Sequence, residues 1–338
     1  MVENNQYWWF RRLGLLASIL ALAVVMLGAW VRLSDAGLGC PDWPGCYGHL
    51  TVPTVRLEIS DANQAFPERP VETHKAWKEM IHRYFAGSLG LLIAAMAFLA
   101  LRNRHDSRQP VLLPLVLLGL VIFQALLGMW TVTLQLKPLV VMGHLLGGFA
   151  TLSLLWWLYL RTHVSGNQYL FTQINLMPWA MLGVLLLVMQ IALGGWTSSN
   201  YAALACPDFP TCQGKWWPQT DFREAFVLWR GLGVNYEFGV LEHPARTAIH
   251  LTHRIGAVVV AGYLFFLGFI GLRHLSGGAR NMAYVLLLLL LTQIGLGISN
   301  VIFHLPLPVA VLHNGVAALL LLALLSFVFL LNRIRGVN

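Results

Sequence analysis

The sequence predicts an all-α integral membrane protein. It expects eight transmembrane helices as two tandem four-helix bundles, related by a pseudo-two-fold axis along the membrane normal. Three observations carry that expectation. The 338-residue chain is 57% hydrophobic and only 11% charged, against roughly 25% charged in a soluble domain. Its apolar residues fall into continuous runs, several reaching the roughly 20 residues that cross a bilayer as a helix. A set of short motifs also recurs at nearly constant separation in the two halves.

The runs lie at about 13–33, 81–101, 111–133, 138–160, 176–197, 248–272, 281–303 and 308–331. They are continuous and not alternating, which excludes a β-barrel. The first follows Arg11-Arg12 and is longer than a signal-peptide core, so it reads as a retained helix. Arginines crowd the short connections 102–108, 161–173 and 273–280 and both termini, including Arg333 and Arg335. The long loops 34–80 and 198–247 mix Lys and Arg with Asp and Glu in similar number. Positive charge beside spans marks the cytoplasmic side. The termini are therefore expected in the cytoplasm of a bacterial-type inner (cytoplasmic) membrane, with the long loops outside. The net charge of +8 flanks the spans and forms no basic patch with interleaved aromatics, so nucleic acid is excluded as a partner.

The four cysteines stand in those outer loops as two equally spaced pairs, Cys40 with Cys46 and Cys206 with Cys212. Each pair encloses two prolines, which break helix and leave a tight loop. The pairs are expected to be exposed and to close as disulfides on the oxidising side. A structural clip and a redox-exchanging pair are both open readings.

The cysteine pairs are one of several motifs that occur twice. Leu27-Gly28-Ala29-Trp30 returns as Leu193-Gly194-Gly195-Trp196, and His82-Arg83 returns as His253-Arg254. Gln124 with Gly128 and His144 return, at almost the same offset, as Gln293 with Gly297 and His313. An even number of spans per unit gives both units the same orientation, a parallel repeat. The expected halves are 1–165, with outer loop 34–80, and 166–338, with outer loop 198–247.

His82, His144, His253 and His313 each lie near the outer start of an even-numbered span. Two imidazoles facing across a bundle can be the axial ligands of a haem, and glycines around them let a macrocycle approach. A lone histidine can instead hydrogen-bond a neighbouring helix, but ionisable groups in spans are rare and usually functional. Copper or zinc fits less well, because no cysteine or carboxylate lies close enough to complete a tetrahedral site. Arg83 and Arg254 read either as partners of haem propionates or as interfacial anchors. The halves differ at one point: Glu79, one turn before His82, has His250 as its counterpart. That difference suggests chemistry in the first half and a permanent electron-transfer haem in the second. Glu58, Glu68 and Glu72 read as solvated loop acids.

The paired cysteine loops, Glu-x-x-His-Arg at 79–83, His-Arg at 253–254 and Gly-His at 143–144 together resemble the haem A synthase family, over about 13–331. The resemblance implies eight helices in two four-helix halves and an oxidoreductase. Its reaction is oxidation of a ring methyl of haem O to a formyl group by successive hydroxylations. It implies haem b, with its iron, on His253 and His313, and haem O as substrate between His82 and His144. It implies Glu79 as the catalytic carboxylate. The cysteines match a variant of the family with pairs in both outer loops. The partners implied are haem O synthase upstream, a haem-copper oxidase downstream, an unidentified electron donor and membrane lipid, with a homo-oligomer also considered. Two other classes compete: a b-type electron-transfer membrane protein with two equivalent haems, and a non-enzymatic haem chaperone for oxidase assembly. The long second loop, with Trp216-Trp217, Trp229 and Tyr236, has no assigned role at this level beyond a surface for a partner or electron donor.

Overall fold

A computed structural model describes residues 5–107, 109–163 and 175–333, with side chains from Trp9 onward. Expectations placed on Arg108, on 164–173, on the 165/166 boundary and on Arg335 lie outside those residues. Among the described residues ten helices follow in order: α1 (Asn5–Leu33), α2 (Arg56–Ala65), α3 (Thr73–Arg102), α4 (Leu112–Thr133), α5 (Pro138–His163), α6 (Met177–Ser199), α7 (Phe222–Ala225), α8 (His243–His274), α9 (Gly277–Ile302) and α10 (Leu307–Leu331). Eight of them, all but α2 and α7, are long and apolar enough to cross a membrane. The described residues hold no strand, only two isolated bridges, Cys46 with His49 and Cys212 with Lys215.

Local chemistry explains why these runs are helical. Backbone groups in lipid must be paired within the segment, which selects helix. Proline sits in the first turn of α5, α8 and α10, where its missing N–H costs nothing. Hydroxyls inside the apolar helices bond back to the preceding turn: Ser18 Oγ donates to the Gly14 carbonyl at 2.8 Å and Thr252 Oγ1 to the Ala248 carbonyl at 2.7 Å. Basic residues occupy the last turns of α3, α5 and α8, where the helix dipole favours them.

Two helices outrun their apolar runs. α3 begins at Thr73 and α8 at His243, ahead of the expected 81 and 248. Hydropathy marks where lipid begins; the helix continues outward through polar residues. Glu79, just ahead of the expected span, and His250, just inside one, both lie well within their helices.

By internal contacts the chain forms two compact units. The first comprises residues 1–151 together with 198–201 and 226–241; the second comprises 152–197, 202–225 and 242–338. In the first, α1 packs on α3 and α3 on α4; in the second, α8 packs on α9 and α9 on α10. A stretch of the second long loop thus packs within the first unit. Tyr236 N–H donates to the Gln135 carbonyl at 3.1 Å, and Tyr236 joins Leu38, Val132 and Leu136 in one apolar cluster.

The repeat is written in the backbone as well as in the residues. Gln135 and Leu136 join α4 to α5 with φ of 49° and 59°; His304 and Leu305 join α9 to α10 with 55° and 63°. Side chains of that size seldom adopt the left-handed region. Each connector is held alike, by Leu136 N–H on the Thr131 carbonyl (2.8 Å) and Leu305 N–H on the Asn300 carbonyl (2.7 Å).

Candidate functional site

In the first unit α3 brings His82 and α5 brings His144 to face each other. Their ring centres are 6.4 Å apart and the planes are perpendicular. Two imidazole nitrogens on one iron at about 2 Å each, each about 1 Å from its ring centre, put ring centres about 6 Å apart. The spacing fits a single iron. In the second unit α8 carries His253 and α10 carries His313 near it.

Each ring is seated against a glycine of a neighbouring helix. A Cβ at Gly28 would stand 3.1 Å from Cε1 of His82, and one at Gly128 3.5 Å from Cε1 of His144. The counterparts repeat the device: Gly194 against His253 and Gly297 against His313, each 3.2 Å from Cε1. At Gly28, Gly194 and Gly297 an added Cβ would make the ring give way by a few tenths of an ångström; at Gly128 it would stand at ordinary contact distance. The motifs containing these glycines recur visibly in the sequence, but their role appears only when helices distant in sequence are brought together.

The two units restrain their histidines differently. The amide nitrogen of Gln190 on α6 lies 3.0 Å from His253 Nδ1 and donates to the His253 carbonyl at 2.9 Å. The amide nitrogen of Gln293 lies 3.3 Å from His313 Nε2. At the offset of the cysteine pairs, the repeat counterpart of Gln190 is Val24, which has no side-chain donor. Outer groups that fix an imidazole orient a ligand. His253 meets the Gln190 side chain, whereas His82 lies beside the Val24 backbone.

Glu79 is 5% exposed and held at both oxygens. Oε2 accepts the Cys40 backbone N–H at 2.9 Å, and Oε1 pairs with Arg83 Nη2 at 2.5 Å. Arg83 Nη1 donates to the carbonyls of Asp42 (3.0 Å), Pro44 (3.2 Å) and Gly45. The guanidinium therefore clasps the first cysteine loop around Glu79. The loop comes this close because residue 39 is glycine: a Cβ there would stand 2.7 Å from the Lys75 backbone. An ionised carboxylate has acceptor directions to spare beyond two bonds, so Glu79 is anchored without being used up.

The second unit has the same frame around a different residue. Arg254 donates to the carbonyls of Asp208 and Thr211 (both 2.9 Å) and Cys206 (2.8 Å). His250 takes the place of Glu79. Cys206 N–H points at its Nδ1 and Arg254 Nε–H at its Nε2, both at 3.2 Å. A neutral imidazole has one acceptor nitrogen, so His250 answers one of these donors at a time, whereas a carboxylate answers both.

Both cysteine pairs are disulfides, Cys40–Cys46 and Cys206–Cys212. The expectation that they are exposed does not hold. Cys40, Cys46 and Cys206 are fully buried and Cys212 is 2% exposed. In the first loop Tyr47, Val52, Ala62, Ala76 and Met80 pack around them. Exchange needs access to sulfur, so burial favours the clip. Each loop is further pinned by the aspartate of its recurring Cys-Pro-Asp motif. Asp42 accepts from Tyr47 N–H (2.6 Å) and Gly48 N–H (2.7 Å), and Asp208 from Gln213 N–H (2.5 Å) and Gly214 N–H (3.0 Å). The Thr211 hydroxyl on Asp208, with those amides, holds the pKa of its carboxyl down at about 2.

Among the described residues no three His, Cys, Asp or Glu side chains converge; the histidines come in twos. The chain is 49% identical over 327 residues to the heme A synthase of Shewanella oneidensis, covering 96% of this chain and 97% of that protein. It is 27% identical to the heme A synthase of Caulobacter sp. strain K31, covering 94% of each chain. It is 27% identical to that of Halalkalibacterium halodurans, covering 96% of this chain and 97% of that one. Residues 11–325 match the profile of the cytochrome oxidase assembly proteins, COX15-CtaA, and the chain belongs to that family.

Proposed function

We infer that this chain is a haem A synthase, a membrane oxidoreductase that converts haem O to haem A by oxidising one ring methyl. Family membership and the 49% identical relative support the activity. The observation that carries the assignment to residues is the first unit's combination: a histidine pair spaced for one iron, with a doubly anchored carboxylate one helical turn away.

In this reading His82 and His144 flank haem O, and His253 and His313 hold haem b. The exchange of Glu79 for His250 supports chemistry in the first half and a resident haem in the second. When bound, haem iron supplies the electron and oxygen chemistry that no side chain can supply. The protein's part is positional and electrostatic. The glycine seats fix the rings, Arg83 and the Cys40 amide fix Glu79, and burial excludes water. With its remaining acceptor capacity Glu79 takes or returns protons at the reacting carbon and stabilises positive charge developing there. His250, in the same frame, cannot offer two acceptors, which leaves the second half to electron transfer. The topology follows the charge pattern: termini in the cytoplasm of a bacterial inner membrane and cysteine loops outside. The wider partners are haem O synthase, a haem-copper oxidase and an electron donor.

The test is co-expression with haem O synthase and extraction of the pigments. Haem A should accumulate beside bound haem b. Unchanged haem O with two equivalent b haems would favour an electron carrier; unchanged haem O with full oxidase assembly would favour a chaperone.

A further inference from the structure

Lys137 has no part in the scheme above, and its surroundings ask for an anion. It caps α5, its carbonyl accepting the Val141 N–H at 3.0 Å, and it is 2% exposed. Its ammonium donates to the Gly231 carbonyl at 2.5 Å and stands 3.0 Å from the centre of the Trp229 ring. Neither partner bears a net negative charge, and among the described residues no carboxylate reaches it. Covering an ammonium without a counter-charge is costly.

Beside it lies a cavity of 280 Å³, lined by Thr133, Gln135, Lys137, Gly231, Gly233 and Tyr236. Tyr236 is 3% exposed and its hydroxyl has no hydrogen-bond partner. A covered cation and a covered, unpaired hydroxyl thus line one space, built entirely within the first unit. The cavity is too small for a porphyrin and large enough for a carboxylate arm. Lys137 precedes His144 by two turns of α5, which puts both on one face, about 10 Å apart along the axis. At the offset that relates His144 to His313, the counterpart of Lys137 is Pro306, so the second half has no such cation.

We propose that Lys137 and Tyr236 bind a propionate of the substrate haem O held between His82 and His144, and that residues 226–241 fold into the first unit to build this site. The proposal rests on the assignment of that histidine pair to the substrate. It also accounts for the length of the second loop. The Gly231 carbonyl and Trp229 ring hold the ammonium over the cavity, and Tyr236 supplies the second donor.

The experiment adds haem O, or haem O dimethyl ester with its carboxylates blocked, to the purified full chain carrying its resident haem, and follows binding by absorbance. The wild type should bind the free acid at least ten-fold more tightly than the ester. Lys137→Met should bind both forms alike, Lys137→Arg should keep the preference, and Tyr236→Phe should reduce it several-fold. The Tyr236→Phe and Lys137→Arg arms decide the question if Lys137→Met does not fold. Inorganic phosphate should compete with haem O. Phosphate that raises the melting temperature without competing would mark a site for free anion and overturn the propionate assignment, as would a preference that survives Lys137→Met. A wild type that binds neither form overturns the histidine assignment together with this proposal, whereas persistent preference in Lys137→Met overturns this proposal alone.

Discussion

Replacing Glu79 by glutamine is expected to lower haem A formation by about 10²–10⁴-fold, the usual contribution of a positioned acid or base, while haem stays bound. The substitution keeps the volume of a side chain that is almost wholly buried. It leaves one amide oxygen to serve two donors, Cys40 N–H and Arg83 Nη2, and removes proton transfer altogether. Glu79→Ala tests the same role less cleanly. It also strips the buried Arg83 of its counter-charge, a loss of about 3–5 kcal/mol when one partner of a buried pair is removed, and so loosens the first cysteine loop. In both variants haem O or a hydroxylated derivative should accumulate in the extracted pigments. Full haem A yield from Glu79→Gln would remove the carboxylate from the chemistry.

The second large effect is expected at His253. His253→Ala should abolish the low-spin b-type absorbance of the purified protein, because it removes one of two ligands and leaves the Gln190 amide with no ring to orient. His82→Ala should leave that absorbance in place and instead block uptake of haem O. That contrast would separate the two pairs, the one proposed for the resident haem from the one proposed for the substrate. An unchanged b-type spectrum in His253→Ala would argue against ligation there.

Much of this was legible in the sequence, for physical reasons that differ from residue to residue. The eight apolar runs could hardly be missed, since lipid demands continuous apolar helix, and all eight helices are present. The Glu79/His250 exchange was visible because a repeat exposes its own exceptions. The function of Gly28 and Gly194 was not visible, because each makes room for a ring on another helix, and sequence separation hides that contact. From the sequence, Arg83 reads as a propionate partner or an interfacial anchor. The sequence could not show that the first cysteine loop would fold back and offer three carbonyls to it. Burial of the first cysteine pair is hidden for the same reason: a short loop with prolines looks solvated until α2 and the N-terminal part of α3 cover it. Residues 226–241 were the hardest to read, since no local pattern says which half of a repeat a loop will join.

A pair of imidazoles in each half is the foundation of the functional assignment, and low-temperature electron paramagnetic resonance of the purified ferric protein tests the resident pair, His253 and His313, most directly. The wild type should give the low-spin signal of an iron held by two imidazoles. The signal should persist in the His82→Ala/His144→Ala double variant and vanish from His253→Ala/His313→Ala. A high-spin wild type, or a low-spin signal that survives loss of both His253 and His313, would contradict it.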